Sequence, residues 1–200
     1  MKILVVGGNG TIGKTVSNKL KEKHEVIVAG RNSGDITVDI ESSESIKAMF
    51  EKTGQLDAIV NCAGAAKWAP FENMIEEDFY IGINSKLMGQ VNLVRIGQEY
   101  LKPGGSFTLT TGILGEDPVF GTTNAAMVNG AIHGFVIAVS QELKNGHRIN
   151  VVAPGLVEDS ATKFGDLFPG HIPVSMKKVA AGYIRSIEGK RTGEIIRIYT

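Results

Sequence analysis

A glycine-rich loop directly after the first apolar run constrains the fold of this chain more than any other feature. The run Lys2–Val6 is typical of a buried strand, and a segment with helical spacing follows the loop. Between them, Gly8, Gly10 and Gly13 have the spacing G-x-G-x-x-G, while starting at Gly7 gives G-x-x-G-x-x-G. Glycines let the backbone approach a pyrophosphate, whose charge the helix N-terminus attracts. The pattern therefore indicates a dinucleotide-binding unit rather than a purely structural turn.

The balance of charge favours a small partner. The chain has 200 residues, with 21 lysines plus arginines and 21 aspartates plus glutamates. Its length fits one domain over residues 1–200, and the balance argues against a nucleic-acid or membrane-surface partner. No apolar stretch is long enough to span a bilayer, and we expect neither a signal peptide nor a metal ion. Cys62 is the only cysteine and cannot form an internal disulfide, which favours the cytoplasm.

Short apolar runs alternate with helical segments along the chain. After the first strand, strands are predicted at 25–30, 35–40, 55–60, 106–111, 148–153 and 194–199. Long helices are predicted over about 79–101 and 125–143. This alternation predicts an α/β fold with a Rossmann-like, doubly wound parallel sheet of about seven strands and helices on both faces. Ligands of such sheets bind at the carboxyl ends of the strands.

Arg31 follows the second predicted strand, where this kind of unit recognises the cofactor ribose. An acidic residue there accepts a hydrogen bond from the 2′-hydroxyl of NAD, whereas an arginine pairs with the 2′-phosphate of NADP. Arg31 therefore favours NADP over NAD. The alternative is an exposed arginine in a turn.

Several short motifs follow in an order that resembles the short-chain dehydrogenase/reductase family. They are the glycine loop, Asp39, the tetrapeptide Asn61–Gly64, Asn84 and the pair Pro154–Gly155. The resemblance extends nearly from end to end and implies the same fold. In this family, members often assemble through a small-residue helix face such as that of 125–143, so the resemblance also implies a homodimer or homotetramer. The alternative is that this face packs closely on the chain's own sheet.

The resemblance assigns roles to these residues. Asp39 is expected to touch the adenine, Asn61 and Gly64 to stabilise the sheet edge, and Val157 to lie near the nicotinamide amide. Asn84 takes the position of the active-site asparagine, although it could also be a polar residue on an exposed helix face. The expected cofactor-binding residues are Gly7, Gly8, Asn9, Gly10, Thr11, Ile12, Gly13, Arg31, Asp39, Asn61, Ala63, Gly64, Pro154, Gly155 and Val157.

The catalytic pattern of the family is broken in this chain. Alignment places Ala125 at the position of the catalytic tyrosine and Asn129 at that of the lysine four residues later. No tyrosine occurs between positions 100 and 183, and no lysine between positions 102 and 144. The catalytic serine is replaced by Thr111, or by Thr110 if the strand end shifts by one residue. The expected catalytic residues are therefore Thr111 and Asn84.

Other candidates for proton transfer have competing interpretations. Lys86 lies about 200° around the helix from Asn84 and is expected to point away from the site. His133 lies one turn beyond Asn129 and is able to titrate near neutral pH, but it equally fits a position facing solvent or another subunit. Glu158 and Asp159 would repel a pyrophosphate unless they turn away. Residues 160–173 are expected to form a substrate-side loop, with aromatic side chains that line an apolar pocket or simply pack over the sheet.

Two functions remain open at this point. The first is an NADP-dependent oxidoreductase that acts on a small molecule with a non-standard active site. The second is a catalytically inactive protein that senses NADP(H) and transmits its binding to a partner or across a subunit interface. A third possibility, a Rossmann protein that has lost nucleotide binding, is disfavoured by the intact glycine loop and Arg31.

Overall fold

The computed structural model describes residues 1–200 and contains one parallel sheet between two layers of helices. Its strands are β1 (Lys2–Val6), β2 (Glu25–Gly30), β3 (Ile36–Thr37), β4 (Leu56–Asn61), β5 (Leu101–Thr110), β6 (Arg148–Pro154) and β7 (Ile195–Ile198). They lie in the order β3-β2-β1-β4-β5-β6-β7, and all neighbouring strands are parallel. The predicted seven-stranded, Rossmann-like fold is confirmed.

Helices cover both faces of the sheet. They are α1 (Thr11–Lys21), α2 (Ser43–Thr53), α3 (Glu76–Gly82), α4 (Gly89–Gly97), α5 (Thr123–Val139), α6 (Glu158–Phe164) and α7 (Met176–Glu188). Side chains of α1 and α7, such as Leu20 and Tyr183, fill one core layer. Side chains of α2, α4 and α5, such as Phe50 and Leu93, fill the other. None of these helices combines the length and apolarity needed to cross a membrane.

The order of the strands reverses at β1, which separates β2 and β3 from the rest of the sheet. The loops after β1 and β4 therefore diverge and leave a crevice at the carboxyl edge. Val6 lies opposite Asn61 in the β1–β4 register. The glycine loop and the segment after Asn61 consequently form neighbouring walls of this crevice.

Three predicted elements differ from the structure. The strand predicted at 35–40 is reduced to the two residues of β3. Just before β3, the Asp35 carboxylate accepts a hydrogen bond from the Val28 backbone N–H at 2.8 Å. The helix predicted at 79–101 is interrupted by a π-helical segment, Ile83–Met88, and ends at Gly97. The loop expected at 160–173 contains part of α6 and a 3-10 turn. The later α7 has no counterpart among the predicted elements.

Candidate active site

A cavity of about 380 Å³ opens at the carboxyl edge of the sheet, beside the loops that follow β1, β4, β5 and β6. Such a volume is within the range of small-molecule sites. The lining residues are Ile12, Gly64, Ala66, Trp68, Lys86, Thr111, Gly112, Ile113, Leu114, Ala125, Asn129, Pro154, Gly155, Leu156, Val157, Ser160, Phe164 and Phe168. The cavity thus brings together several residues predicted from separate parts of the sequence.

The glycine loop closes tightly onto its own backbone and leaves its outer side open. A Cβ atom at Gly13 would collide with the Gly7 carbonyl oxygen, and one at Gly7 would lie 2.7 Å from the Ala63 nitrogen. Gly7 also has a φ of 76°, which glycine adopts without strain. No side chain caps α1, so the backbone N–H groups of its first turn, including that of Ile12, remain available to an anion.

Asn61 fixes the opposite wall of the crevice. Its fully buried side chain donates to the Ala63 carbonyl at 2.7 Å and accepts from the Ala63 N–H at 3.3 Å. Gly64 follows with a φ of 137°, and a Cβ there would lie 3.0 Å from the Lys86 Cα. The missing side chain at Gly64 therefore gives Lys86 room to lie against this wall.

Arg31 lies at the far end of the crevice, where a second cavity also contains Gly7 and Glu41. Its guanidinium donates to Glu41 Oε1 at 2.9 Å and to Asp39 Oδ1 at 3.1 Å. The Arg31 side chain is 60% exposed. Arg31 therefore follows the second strand as predicted, but its guanidinium already forms ion pairs with two carboxylates.

Asn9 also lies near this end, where its amide donates to the Ser33 hydroxyl at 3.1 Å. Thr11 begins α1 and is exposed. Gly8 is buried, and a Cβ there would lie 2.8 Å from both the Ser17 hydroxyl and a methyl group of Val28. Gly8 thus serves packing between the loop, α1 and β2.

The expectation for Asn84 and Lys86 is wrong: their positions are exchanged. Asn84 is exposed and does not line the cavity, whereas Lys86 does. Both belong to the π-helical segment, in which the Gly89 N–H donates to the Asn84 carbonyl. The neighbouring Ser85 is buried and accepts from the Ala65 backbone at 3.1 Å. This contact turns Ser85 and Lys86 towards the loop after β4 and leaves Asn84 outside.

The ammonium of Lys86 has no hydrogen bond or ion pair with any other group of the protein. The side chain is half-buried against the cavity wall. Burial lowers the pKa of Lys86 from 10.5 to about 8, because desolvation disfavours the charged form. At neutral pH the cavity therefore holds an uncompensated positive charge, a feature that sequence reasoning missed.

Thr111 is buried at the end of β5 and lines the cavity. The Thr111 Oγ1 lies 2.9 Å from the Nε2 of His133. The neighbouring Thr110 points into the sheet, where its hydroxyl contacts the Asn61 carbonyl and the Tyr183 hydroxyl. Of the two threonines considered for the serine position, only Thr111 reaches the cavity.

His133 is 7% exposed and lies directly behind Thr111, so the solvent-facing interpretation is wrong. Its Nδ1 lies 3.7 Å from Glu116 Oε1. Arg197 clamps the same carboxylate, with its Nε 2.9 Å from Oε2 and its Nη2 2.7 Å from Oε1. Burial lowers the pKa of His133, although the Glu116 charge opposes that shift. The Arg197 hydrogen bonds lower the pKa of Glu116 and keep it ionised.

Ala125 and Asn129 form the α5 wall of the cavity, one helical turn apart. Asn129 is 2% exposed and donates weakly to the Gly112 carbonyl at 3.5 Å. Its Oδ1 is buried without a hydrogen-bond partner. Buried oxygens rarely lack partners, so this acceptor marks a place for a ligand hydroxyl or water.

The segment after β6 forms the remaining backbone wall. Pro154, Gly155 and Val157 line the cavity, as their expected cofactor role requires. Glu158 is exposed, and its carboxylate accepts from the Met176 N–H at 2.7 Å. It therefore caps α7 instead of facing the crevice, and Asp159 is exposed as well.

Three aromatic rings cover the outer side of the cavity. The ring of Trp68 lies 5.2 Å from that of Phe164 and 6.2 Å from that of Phe168, measured between centroids. All three line the cavity. The two interpretations of the aromatic side chains therefore hold together: Phe164 and Phe168 pack with Ile113 and Leu114 in a small hydrophobic cluster, and they also give the cavity an apolar wall.

Comparisons with known proteins identify the family of this chain. A family model described as enoyl-(acyl carrier protein) reductase matches residues 8–186. The chain belongs to the short-chain dehydrogenase/reductase family. A relative in that family is the 3-oxoacyl-[acyl-carrier-protein] reductase MabA of Mycobacterium avium, 28% identical over 205 residues, which cover 96% of this chain and 76% of the relative.

Two solved structures are similar over nearly the whole chain. The protein lin1944 from Listeria innocua is 46% identical, with a TM-score of 0.98 and full coverage of both chains. A small-chain dehydrogenase in complex with NADPH is 28% identical, with a TM-score of 0.88 and coverage of 99% of this chain and 96% of that one. Both structures support the fold, and the dehydrogenase also supports the membership in the family.

Proposed function

We propose that this protein is an NADP(H)-dependent reductase of small carbonyl compounds, with a non-standard active site. The observation that carries the proposal is the unpaired ammonium of Lys86 in a cavity that also presents the Thr111 hydroxyl. Burying a cation without an ion-pair partner destabilises the folded protein, so such a cation suggests a functional site in which a bound ligand supplies the negative charge. A carbonyl oxygen that becomes negative during reduction is such a partner.

The residues of the crevice fit NADP(H). The uncapped start of α1 suits a pyrophosphate, and Arg31 suits a 2′-phosphate. The unpartnered Oδ1 of Asn129 suits a ribose hydroxyl. The similar dehydrogenase solved with NADPH supports the same choice. NAD is the less favoured cofactor, because it lacks the phosphate that would compete with Asp39 and Glu41 for Arg31.

NADPH, when bound, supplies the hydride that reduces the substrate carbon. Lys86 and Thr111 would hold the substrate oxygen between an ammonium and a hydroxyl, and the ammonium would stabilise the negative charge that develops there. Trp68, Phe164 and Phe168 would pack against an apolar substituent and exclude water, which strengthens that interaction. We therefore infer a substrate with a carbonyl at one end of an apolar group.

A second candidate function is an inactive NADP(H) sensor. It is favoured by Ala125 and Asn129, because neither side chain is able to transfer a proton where the family has tyrosine and lysine. Under this alternative, Lys86 would serve only to bind an anion. The two functions differ in whether bound NADPH is consumed.

The test combines binding with turnover. Calorimetry with NADPH and NADH would measure the cofactor preference, and the Arg31→Glu variant should lose it. NADPH oxidation would then be followed with acetoacetyl-CoA, small ketones and aldehydes, an enone and an imine. Lys86→Met should lower kcat/KM about 100-fold, the typical effect of losing one oxyanion donor, while the NADPH affinity changes little. The exposed Lys47→Met serves as the matched control.

The two functions predict different outcomes of that test. Turnover that Lys86→Met leaves unchanged would exclude this site, whereas tight NADPH binding without consumption by any compound would support the sensor. Failure of both nucleotides to bind would refute both functions.

We also propose a homodimer or homotetramer in the cytoplasm. Met127 and Ile137 are exposed on α5, at 42% and 51%, and a Cβ at Gly134 would meet no atom within 4 Å. This apolar, open face suits close packing against a second copy. The Gly134→Glu variant should therefore reduce the mass measured by light scattering without loss of the fold. An unchanged mass would exclude this face as the interface.

A further inference from the structure

The hydrogen bond between Thr111 and His133 connects the cavity to a titratable ring. Thr111 lines the cavity, and its Oγ1 lies 2.9 Å from His133 Nε2. Both side chains are buried, at 5% and 7% exposure. Glu116 lies on the other side of the ring, 3.7 Å from Nδ1. The three residues thus form a line from the cavity to a carboxylate at the surface.

On the basis of the proposed function, we propose that His133 supplies the proton for carbonyl reduction through the Thr111 hydroxyl, and that Glu116 positions the histidine. The cavity would then need no tyrosine at position 125. Lys86 would stabilise the charge on the substrate oxygen, while His133 would deliver the proton that neutralises it.

The direction of the hydrogen bond depends on the charge of the ring. When His133 is protonated, both nitrogens donate, so Nε2–H donates to Thr111 Oγ1. The Thr111 O–H is then free to donate into the cavity. When His133 is neutral with its proton on Nδ1 facing Glu116, Thr111 must donate to Nε2 and no longer offers its proton to a substrate.

The step balances with NADPH as the hydride donor, which becomes NADP⁺, and with one proton taken from solvent in each turnover. Hydride addition breaks the carbonyl π bond and leaves an alkoxide. Thr111 gives its hydroxyl proton to the alkoxide and takes the Nε2 proton of His133, which becomes neutral. When the product alcohol leaves, water that enters the cavity returns a proton to His133 through Thr111.

Charged groups around His133 set the pH range of this transfer. Glu116 faces it from the turn after β5, Arg197 lies behind Glu116 on β7, and Lys86 lines the same cavity as Thr111. Glu116 favours the protonated ring, whereas burial and Arg197 disfavour it. Protonation should therefore occur on the acid side of neutrality, and kcat should fall as pH rises through that range.

The first test is a pH profile of kcat with acetoacetyl-CoA and NADPH, for the wild-type protein and His133→Gln. Glutamine keeps an N–H that can donate to Thr111 but cannot release a proton. We expect His133→Gln to lower kcat about 100-fold on the acid side, as loss of a general acid does, and to remove the pH dependence there. Its NADPH affinity and melting temperature should match those of the wild-type protein.

The second variant is Glu116→Gln, which removes the charge that favours the protonated ring. Its kcat should fall at a pH about one unit lower than in the wild-type protein. If His133→Gln has the same pH profile as the wild-type protein, the role of His133 is overturned while the proposed function stands. The same conclusion follows if His133→Gln does not fold and Glu116→Gln leaves the pH profile unchanged. If the wild-type protein binds NADPH but reduces none of the probes, the proposed function fails and takes this role of His133 with it.

Discussion

Replacement of Lys86 by methionine should stabilise the protein at neutral pH. The change keeps an unbranched side chain over Gly64 and removes a charge that has no partner. Lowering the pKa of Lys86 from 10.5 to about 8 corresponds to about 3 kcal/mol of unfavourable free energy for the charged form in the folded protein. For a chain of this size, that would raise the melting temperature by about 6 to 12 °C.

The pH dependence of this gain provides the sharper test. Because the folded-state pKa is below the unfolded-state pKa, the unfolded chain binds more protons between about pH 8 and 10.5. The wild-type protein should therefore gain stability with rising pH in this range, and the advantage of Lys86→Met should be complete below pH 8 and absent near pH 10.5. Urea unfolding at several pH values measures both variants, with Lys47→Met as control. Equal stability at pH 7, or a gain that persists at pH 10.5, would refute the reasoning.

Three further predictions concern the cofactor and the reaction. Above about pH 8, kcat/KM with acetoacetyl-CoA should fall about tenfold per pH unit as Lys86 loses its proton, in addition to the fall expected from His133 at lower pH. In steady-state assays, Lys86→Arg should not show the fall above pH 8. Gly13→Ala should abolish NADPH binding in calorimetry, because its Cβ would collide with the loop backbone; retained affinity would contradict the proposed phosphate site. Glu41→Gln should tighten NADPH binding about two- to fivefold by freeing Arg31 from one carboxylate, with NADH unaffected and Glu44→Gln as control.

The sheet and the cofactor end of the crevice follow from the sequence because their signals are local. The glycine spacing requires a strand before it and a helix after it, and both are present. Arg31 follows β2 directly and Asn61 is the last residue of β4, so the carboxyl edge of the sheet brings them to the same crevice. What the sequence does not reveal is that Asp39 and Glu41 both reach the Arg31 guanidinium, since residues after β3 lie in an irregular segment.

The substrate end is harder to predict because it depends on one irregular helix. Asn84 and Lys86 point in different directions, as their helical spacing predicts, but periodicity does not say which of them faces the site. That choice depends on the π-helical segment and on the Ser85 contact with the loop after β4. His133 was recognisable from its spacing to Asn129, but its partner Glu116 lies on a turn that packs against α5 only in three dimensions.

Lys86 and His133 would together replace the catalytic pair of the family under the proposed function. In the family, one helix carries both the proton donor and the cation. We propose that Ala125 and Asn129 take those positions on α5, that the cation comes instead from Lys86 on the π-helical segment, and that the titratable group lies one turn beyond Asn129 on α5. The distance between the two groups matters: a cation beside His133 would disfavour its protonated form, so a lysine at position 129 would oppose the proton transfer proposed for Thr111. Asn129→Lys should accordingly shift the fall in kcat to lower pH, and a shift to higher pH would contradict the division of roles between Lys86 and His133.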